Sequence, residues 1–380
     1  MQTALGTPVA VPQEIEVCHF DPHVHGRRGP MQRMLLTQAA KRMCGGILEP
    51  NTYTPHLYTY DDITAYSEES NALTPDCWWT ASCYLTPHTS ITDVVRAWEA
   101  GVLGHVKGYP PHGTTHSNES VPPEMLLDIN SGPGKVLCAM AEAGIPFKTH
   151  GEVVEKDGKQ VHPLLREGLW YREVQPRFDD LYRERGLRQI HAHITTADAA
   201  IYMLSNGDPD ARVCEVTGHH LIQDWNILYD GGALRPDYHW LPVSKNARHT
   251  DRLRQLVVMR KPYVIGASDM AGHDTKGKYG PRAFGGGYTY HCSLELYIQA
   301  LEMMGALDFA DAFLYGNAKR FHGRLVPHQP TPFRLVREDW TVGERVQYEG
   351  GGDEDGKMTP FGFDENPERR FVFRWKLVQD

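Results

Sequence analysis

Histidines at alternating positions mark two places in this chain that could bind a metal ion. His23 and His25 follow an apolar run, and His191 and His193 form a second pair. Residues i and i+2 of an extended strand point to the same face, about 7 Å apart, so two imidazoles can share one ion. With 20 histidines in 380 residues, about one such pair is expected by chance, so structural context must support the motif.

The context is a series of short apolar segments separated mostly by helix-like stretches. The predicted strands are 14–25, 45–50, 78–85, 103–109, 146–151, 188–194, 211–217 and 263–268. The predicted helices are 30–43, 90–101, 133–144, 174–185 and 197–206, then 293–304 and one near 309–316. Strand–helix alternation repeated eight times predicts an α/β fold, a (β/α)8 TIM barrel.

The barrel is expected to cover 14–325, after a loose N-terminal segment, 1–13, and before a C-terminal extension packed on the barrel, 326–380. Within that extension, Gly350–Lys357 is expected to be a mobile acidic loop, and Arg370–Val378 alternates like an edge strand. Segments 112–124 and 272–289 are too polar or too Gly-rich to favour regular elements. Both follow predicted barrel strands, where long loops usually cover a site.

Composition excludes several classes of partner. A net charge of -9 argues against nucleic acid, which requires a clustered basic surface. No run of eighteen apolar residues predicts a membrane span, and Met1–Gln13 lacks the features of a signal peptide. Seven cysteines without a C-x-x-C pair favour reduced thiols in the cytoplasm.

In a TIM barrel the chemistry lies at the C-terminal ends of the strands, and the predicted strand ends carry a coherent set of polar residues. These are His23, His25, Lys107, His150, His193 and Asp269. Four histidines, a lysine and an aspartate are a ligand set for two borderline metal ions such as Zn²⁺. His191 and His193 are expected to face the same way, and His193 is preferred because it lies nearer the catalytic end.

Six motifs together carry a family resemblance. They are Asp-x-His-x-His-x-Arg (21–27), Glu-Pro-Asn (49–51), Lys-x-Tyr-Pro (107–110) followed by Thr114-Thr115, His-Gly-Glu (150–152), His-Ile-Thr-Thr (193–196) and Asp-x-Ala-x-His (269–273). In order and spacing the chain resembles dihydroorotases of the single-barrel bacterial type, within the amidohydrolase superfamily. The resemblance runs from about residue 15 to the Arg-Trp pair near the C-terminus.

The resemblance implies a binuclear zinc centre. His23, His25 and Asp269 would bind one metal, and His150 and His193 the other. Lys107 would be carboxylated by CO₂ and bridge both ions, because a carbamate is an anionic two-oxygen ligand whereas an ammonium cannot ligate a cation. A water bridging the ions would ionise near neutral pH, and this hydroxide would attack the ring amide while Asp269 acts as general acid and base.

The resemblance also implies which residues bind the substrate, (S)-dihydroorotate, which is hydrolysed reversibly to N-carbamoyl-L-aspartate in pyrimidine biosynthesis. Arg27, Asn51 and His273 would bind its carboxylate, for which the planar fork of an arginine is suited. Gly26 would leave room for the arginine to turn inward. The remaining contacts would come from Thr114 and Thr115 on a closing loop and from the backbone of Leu241 and Gly285. A homodimer is expected from the resemblance alone.

Departures from the family pattern lie outside the metal set. Arg28 stands where an aspartate is usual, Glu119-Ser120 replace His-Gly, and Gly272 replaces a proline. Another cyclic amidohydrolase, of the hydantoinase, dihydropyrimidinase or allantoinase kind, is therefore the enzyme alternative, although neutral rings need no carboxylate-binding residues. A metal-poor pseudoenzyme that serves as an assembly partner is the non-enzyme alternative, and the intact ligand set argues against it.

Overall fold

Parallel strands form the centre of the computed structural model, which describes residues 11–52, 55–230, 232–349, 351 and 356–378. The strands are β1 Glu14–Val17, β2 Phe20–Val24, β3 Gly45–Leu48, β4 Trp78–Tyr84, β5 Leu103–Gly108, β6 Phe147–Thr149, β7 Glu155–Lys156, β8 Lys159–Gln160, β9 Gln189–His191, β10 Arg212–Val216, β11 Tyr229–Asp230, β12 Ala233–Leu234, β13 Val264–Gly266, β14 Phe333–Trp340, β15 Val346–Gln347, β16 Lys357–Met358 and β17 Phe373–Leu377. Eight of them form one sheet in the order β13-β10-β9-β6-β5-β4-β3-β2, and Val24 bridges Met270 in parallel to close it. The predicted (β/α)8 TIM barrel is confirmed.

Helices cover the outside of this sheet. They are α1 Gly29–Ala40, α2 Tyr60–Leu73, α3 Ile91–Glu99, α4 Pro123–Leu126, α5 Gly132–Ala143, α6 Arg166–Leu169, α7 Gln175–Tyr182, α8 Ala197–Asn206, α9 Gly218–Ile222, α10 Ala247–Val258, α11 Thr275–Tyr279, α12 Ser293–Met303 and α13 Asn317–His322. Short 3-10 or π turns lie at Trp170–Val174, Trp225–Leu228, Pro236–Tyr238, Leu307–Phe309, Ala312–Gly316, Gly323–Leu325 and Pro367–Arg369. Within the described residues, every helix is too short or too polar to cross a lipid bilayer.

The barrel strands are buried on both faces, as expected for a parallel sheet covered by helices. Phe20, Ile47, Val106 and Val213 are fully buried inside or against the sheet. One apolar core therefore extends from the barrel interior to the helix layer. Because all eight strands run in the same direction, their C-terminal ends lie at one end of the barrel.

The N- and C-terminal segments form a second, smaller sheet beside the barrel. β14 pairs antiparallel with β1 on one side and with β17 on the other. The burial of β17 alternates along the strand, so the predicted edge strand within 370–378 is confirmed. Residues 350 and 352–355 of the predicted acidic loop, and residues 1–10 of the predicted loose segment, lie outside the described residues.

Two predictions about elements are wrong in detail, and the long helices α2 and α10 were missed. The strand predicted over 14–25 is two strands, because β1 pairs with β14 in the smaller sheet and the chain enters the barrel only at Phe20. Helix α2 was not predicted, although its capping box of Thr59 and Asp62 is a sequence signal for a helix start. Segment 272–289 is not free of regular elements, since the Asp274 side chain caps α11 within it.

Candidate active site

The predicted metal ligands converge at the C-terminal end of the barrel. His23 lies in β2 and Lys107 in β5, while His150, His193 and Asp269 follow β6, β9 and β13. Each of these side chains is almost completely buried. Parallel strands in register therefore bring together residues that are far apart in sequence.

Two of them, His23 and Asp269, form a compact donor cluster with His25. The ligand atoms of His23, His25 and Asp269 all lie within 4.8 Å of one another. Asp269 Oδ1 is 3.3 Å from His23 Nε2 and 3.1 Å from His25 Nε2, and Lys107 Nζ is 3.2 Å from the same His23 nitrogen. Imidazole and carboxylate donors at such separations are the ligands that Zn²⁺ and similar ions prefer.

His150 and His193 lie beside this cluster. Their ring centroids are 4.6 Å apart, and the His193 ring is 5.0 Å from that of His23. Nε2 of His150 is 2.8 Å from Glu152 Oε2, an arrangement that fixes the orientation of an imidazole. Nδ1 of His193 is buried and has no hydrogen-bond partner within the part of the chain that the structure describes. This nitrogen is therefore available as a metal ligand.

The two histidines of the second pair do not face the same way, which corrects the sequence-based expectation. β9 ends at His191, whose Nδ1 is 3.0 Å from the hydroxyl group of Tyr171. His193 has a φ of 34°, so the chain turns after the strand and directs His193 toward the cluster. Strict alternation ends where the strand ends.

Left-handed backbone conformations recur at the site. Arg27, His193 and Asp269 have φ values of 59°, 34° and 49°. Such conformations cost roughly 1–3 kcal/mol each in non-glycine residues, and they persist only where the surroundings impose them. The backbone at this end of the barrel is thus held in an unfavourable conformation that aims these side chains.

A buried ionic network lies next to the ligands, and sequence reasoning missed it. Lys148 Nζ is 2.9 Å from Glu49 Oε1 and 2.6 Å from Glu215 Oε1. Glu49 Oε2 is also 3.2 Å from Lys107 Nζ, and Glu215 Oε2 is 2.7 Å from His23 Nδ1. We call Glu49, Lys148 and Glu215 the charged floor. Each of the three is fully buried, and the signal that could have revealed Lys148 and Glu215 was a charged residue inside a predicted barrel strand.

Burial and charge act on the pKa values of the lysines in opposite directions. For Lys148 burial disfavours the ammonium, but Glu215 and Glu49 outweigh burial and raise the pKa. For Lys107 burial prevails over the attraction of Glu49, and the pKa is lowered. Lys148 is therefore the fixed cation of the charged floor, whereas Lys107 loses its proton more readily than an exposed lysine.

Above the ligands, the predicted carboxylate-binding residues Arg27 and His273 also meet. Arg27 is 2% exposed; its Nη2 is 2.9 Å from His273 Nε2, and its Nε donates to the Gly272 carbonyl at 3.2 Å. Gly26 contributes differently from the expectation, because a Cβ there would lie 2.6 Å from the hydroxyl oxygen of Tyr66. That hydroxyl group donates to the Arg27 carbonyl at 2.6 Å.

The loop after β5 lies against the same pocket. Asn51 Nδ2 donates to the Thr115 carbonyl at 3.0 Å, and Thr115 Oγ1 donates to the Gly285 carbonyl at 3.3 Å. Leu241 packs on Gly285, where a Cβ would lie 2.4 Å from Leu241 Cγ. Thr114 is half-buried, and its backbone is hydrogen-bonded to the Ser117 hydroxyl of the same loop.

The unusual Arg28 does not point at this pocket. Its Nε lies 3.3 Å from Thr52 Oγ1 and 3.0 Å from the Pro55 carbonyl. The carboxylate of Glu119, another departure, accepts a 2.7 Å hydrogen bond from Tyr58. Both residues therefore support loops around the site.

Comparison with known proteins finds relatives that cover nearly the whole chain. No family model matches the chain. The dihydroorotase of Nitrosomonas europaea is 30% identical over 94% of this chain and 96% of its own length. The dihydroorotase of Saccharomyces cerevisiae, crystallised with 5-fluoroorotic acid, superposes with a TM-score of 0.82 at 22% identity, covering 97% of this chain and 99% of that one.

A hydantoinase structure shares the fold less closely. The L-hydantoinase of Arthrobacter aurescens gives a TM-score of 0.68 at 16% identity, over 85% of this chain and 76% of that one. The 30% identity with the Nitrosomonas protein extends over nearly the full length of both chains and is the stronger relationship. The chain belongs to the dihydroorotase family of metal-dependent amidohydrolases.

Proposed function

We propose that this protein catalyses the reversible hydrolysis of (S)-dihydroorotate to N-carbamoyl-L-aspartate, a step of pyrimidine biosynthesis. The observation that carries the proposal is a buried arginine beside a metal-type donor cluster. Arg27 is 2% exposed and lies in the segment that also bears His23 and His25. A pocket that combines the two can bind a carboxylate next to the centre that hydrolyses an amide.

His23, His25 and Asp269 would bind one Zn²⁺, and His150 and His193 a second. Lys107, carboxylated on Nζ, would lie between the two ions. Its complete burial and lowered pKa support this modification, because CO₂ reacts with the neutral amine. The metals, when bound, would polarise the scissile carbonyl and lower the pKa of water.

Asp269 would transfer the proton. Its Oδ1 lies within 3.3 Å of both histidines of the first cluster, so it is adjacent to the reacting centre. In hydrolysis the carboxylate would accept a proton from the attacking water and deliver it to the ring nitrogen that leaves. In the direction of ring closure the same aspartate would remove the proton from that nitrogen.

Other side chains would hold the histidines in their ligating orientation. Glu215 accepts from His23 Nδ1 and Glu152 accepts from His150 Nε2. Each carboxylate fixes one ring nitrogen as the protonated one and leaves the other as donor to a metal. The ligating atoms would then be Nε2 of His23 and Nδ1 of His150.

The substrate carboxylate would pair with Arg27 and lie near His273 and Asn51. An arginine offers two parallel N–H donors to a carboxylate. Arg27 Nη2 now points at His273 Nε2, at 2.9 Å, and a carboxylate is a stronger acceptor. Thr115, on the loop that packs against Asn51 and Gly285, would exclude water from the bound ring.

A neutral-ring amidohydrolase is the competing reading. Hydantoin, dihydrouracil and allantoin carry no carboxylate, so binding them would not require an arginine buried beside the donor cluster. The discriminating experiment assays purified, metal-replete protein with dihydroorotate and these three compounds side by side. We expect turnover of dihydroorotate alone; brisk turnover of a neutral ring without turnover of dihydroorotate would refute the proposal.

The remaining assignments are also proposals. The catalytic unit would cover 14–325, with 326–380 packed on it, and two subunits would form a homodimer in the cytoplasm. Support for the first comes from β14 and β17, which join β1 in one sheet. Light scattering coupled to size-exclusion chromatography measures the oligomeric state directly, and a monomer mass would exclude the dimer.

A further inference from the structure

One wall of the pocket above the metal ligands consists of three consecutive glycines, Gly285, Gly286 and Gly287, which we call the glycine wall. A Cβ at Gly285 would lie 2.4 Å from Leu241 Cγ, and one at Gly287 would lie 1.7 Å from Trp240 Cζ3. Gly286 has a φ of 133°, a region that glycine alone enters readily. The backbone therefore lies directly on two large side chains and presents peptide groups to the pocket.

Such a segment is costly to order. Glycine loses more conformational freedom on folding than any other residue. Within the described part of the chain this stretch belongs to no regular strand and has isolated main-chain interactions, namely the bridges from Gly287 to Met270 and from Tyr288 to Pro360 and the hydrogen bonds of the Phe284 and Gly286 amides. Additional interactions must therefore fix which way its carbonyl groups point.

Lys278 supplies these interactions. It lies in α11, is 4% exposed, and its Nζ donates to the carbonyl groups of Phe284 at 3.0 Å, Gly286 at 2.7 Å and His239 at 3.1 Å. An ammonium group has three N–H donors, so each has one main-chain acceptor. One side chain thus joins the glycine segment to the segment that leads into Trp240 and Leu241.

The charge of Lys278 has no other evident use. Among the described residues, no carboxylate oxygen lies within 4.0 Å of Lys278 Nζ. The ion pairs in this part of the molecule are formed by other cations. Burial of a charge without a counter-ion is unfavourable, and it lowers the pKa of this lysine to about 7 despite the attraction of Asp237. The three carbonyl dipoles are what offsets that cost.

The bonds to Phe284 and Gly286 determine the direction of the peptide between them. The two carbonyl groups on either side of Gly285, those of Phe284 and Gly286, both point at Lys278. The Gly285 carbonyl points instead toward the pocket, 3.3 Å from Thr115 Oγ1 and 3.2 Å from His273 Nε2.

We propose that Lys278 is a positioning residue for the substrate, which orders Gly285–Gly287 and turns the Gly285 carbonyl into the pocket as an acceptor for a ring N–H. This inference rests on the proposed function for the identity of the ring. Lys278 does not touch the reacting atoms, so its effect falls on ground-state and transition-state binding alike. Uniform binding of this kind appears in KM and leaves kcat unchanged.

The test compares Lys278→Met with Lys276→Met, which removes an exposed ammonium from the same short helix. For Lys278→Met we expect KM for dihydroorotate to rise on the order of 10- to 100-fold, with kcat within about threefold of wild type. Metal content should be unchanged in both variants, and Lys276→Met should retain the wild-type KM. A wild-type KM in Lys278→Met, or a loss of metal with it, would overturn the proposal.

Hydrogen exchange measures the same role without any substrate. The amides of Phe284 and Gly286 donate at 2.9 Å to the carbonyl groups of Gly277 and His239, and both should exchange faster in Lys278→Met but not in Lys276→Met. Unchanged exchange would refute the ordering role.

If wild-type protein fails to hydrolyse dihydroorotate, the proposed function fails while the exchange result still decides the role of Lys278. Should Lys278→Met not fold, Lys278→Gln is measured by the same criteria.

Discussion

The charged floor and the glycine wall each depend on one buried lysine, but the two lysines have different roles. In the floor, Lys148 of β6 lies between two carboxylates, Glu49 after β3 and Glu215 in β10, and acts as a counter-ion. In the wall, Lys278 has only backbone carbonyl groups around it and acts as a set of hydrogen-bond donors. Pairing with neighbouring strands fixes the backbone at a strand end, whereas the carbonyl groups of a glycine loop need additional hydrogen bonds to fix their direction.

The two regions also differ in what a substitution should disturb. Residues at the floor are coupled through buried charge to the donor cluster, so changes there should alter metal binding and folding stability together. Residues at the wall and at the loop after β5 contact the pocket from outside the donor set. Changes there should alter substrate binding while metal content is preserved.

The largest effect on activity is expected at the boundary between floor and ligands, for Lys107→Ala. This variant removes the proposed bridging group, so metal binding should weaken. Activity should fall on the order of 10³-fold, which corresponds to a loss of several kcal/mol of transition-state stabilisation. Short carboxylic acids should partly restore both by replacing the carbamate. Elemental analysis with and without acetate measures this, and an unchanged two-metal enzyme would rule out the bridge.

Next in size is Lys148→Met in the floor itself. It leaves Glu49 and Glu215 buried without their cation, and loss of one partner of a buried pair costs about 3–5 kcal/mol. The free energy of unfolding, from denaturant titration of the metal-free protein, should fall by that amount. Lys159→Met at an exposed hairpin is the matched control, expected within about 0.5 kcal/mol of wild type. Equal stability of the two variants would mean that the floor is not an ionic unit.

On the pocket side, Arg27→Met should weaken binding of dihydroorotate by ~2–5 kcal/mol, because it leaves the substrate carboxylate without its partner. Metal content should remain that of wild type. The neighbouring Arg28→Met is the control, since Arg28 is bonded to Thr52 and Pro55 and should change KM much less. If Arg27→Met loses metal, the two regions are not separable as described.

The smallest change is expected for Thr115→Val on the loop after β5. It removes one hydrogen bond, from Thr115 Oγ1 to the Gly285 carbonyl, which contributes about 0.5–1.5 kcal/mol. KM should therefore rise by at most about tenfold with kcat and metal content unchanged. An effect as large as that of Arg27→Met would mean that this loop contributes directly to catalysis.

Sequence reasoning predicted the barrel and its ligand-bearing strands because both depend on local patterns. The apolar run before His23 and the glycines around Lys107 predict strand ends without knowledge of their neighbours. The same reasoning failed where a pattern stops, since the positive φ of His193 reverses the direction implied by its spacing from His191. It also failed for Glu215, whose partner Lys148 lies 67 positions away.

Local patterns in the amino-acid sequence suffice to predict the (β/α)8 architecture, the donor types at the strand ends and the arginine beside them, because strand periodicity and residue chemistry are local properties. Tertiary contacts alone reveal which buried charges pair in the floor, where Arg28 points and how Lys278 orders the glycine wall. These depend on distances between segments far apart in the chain, and such distances exist only once the barrel has closed.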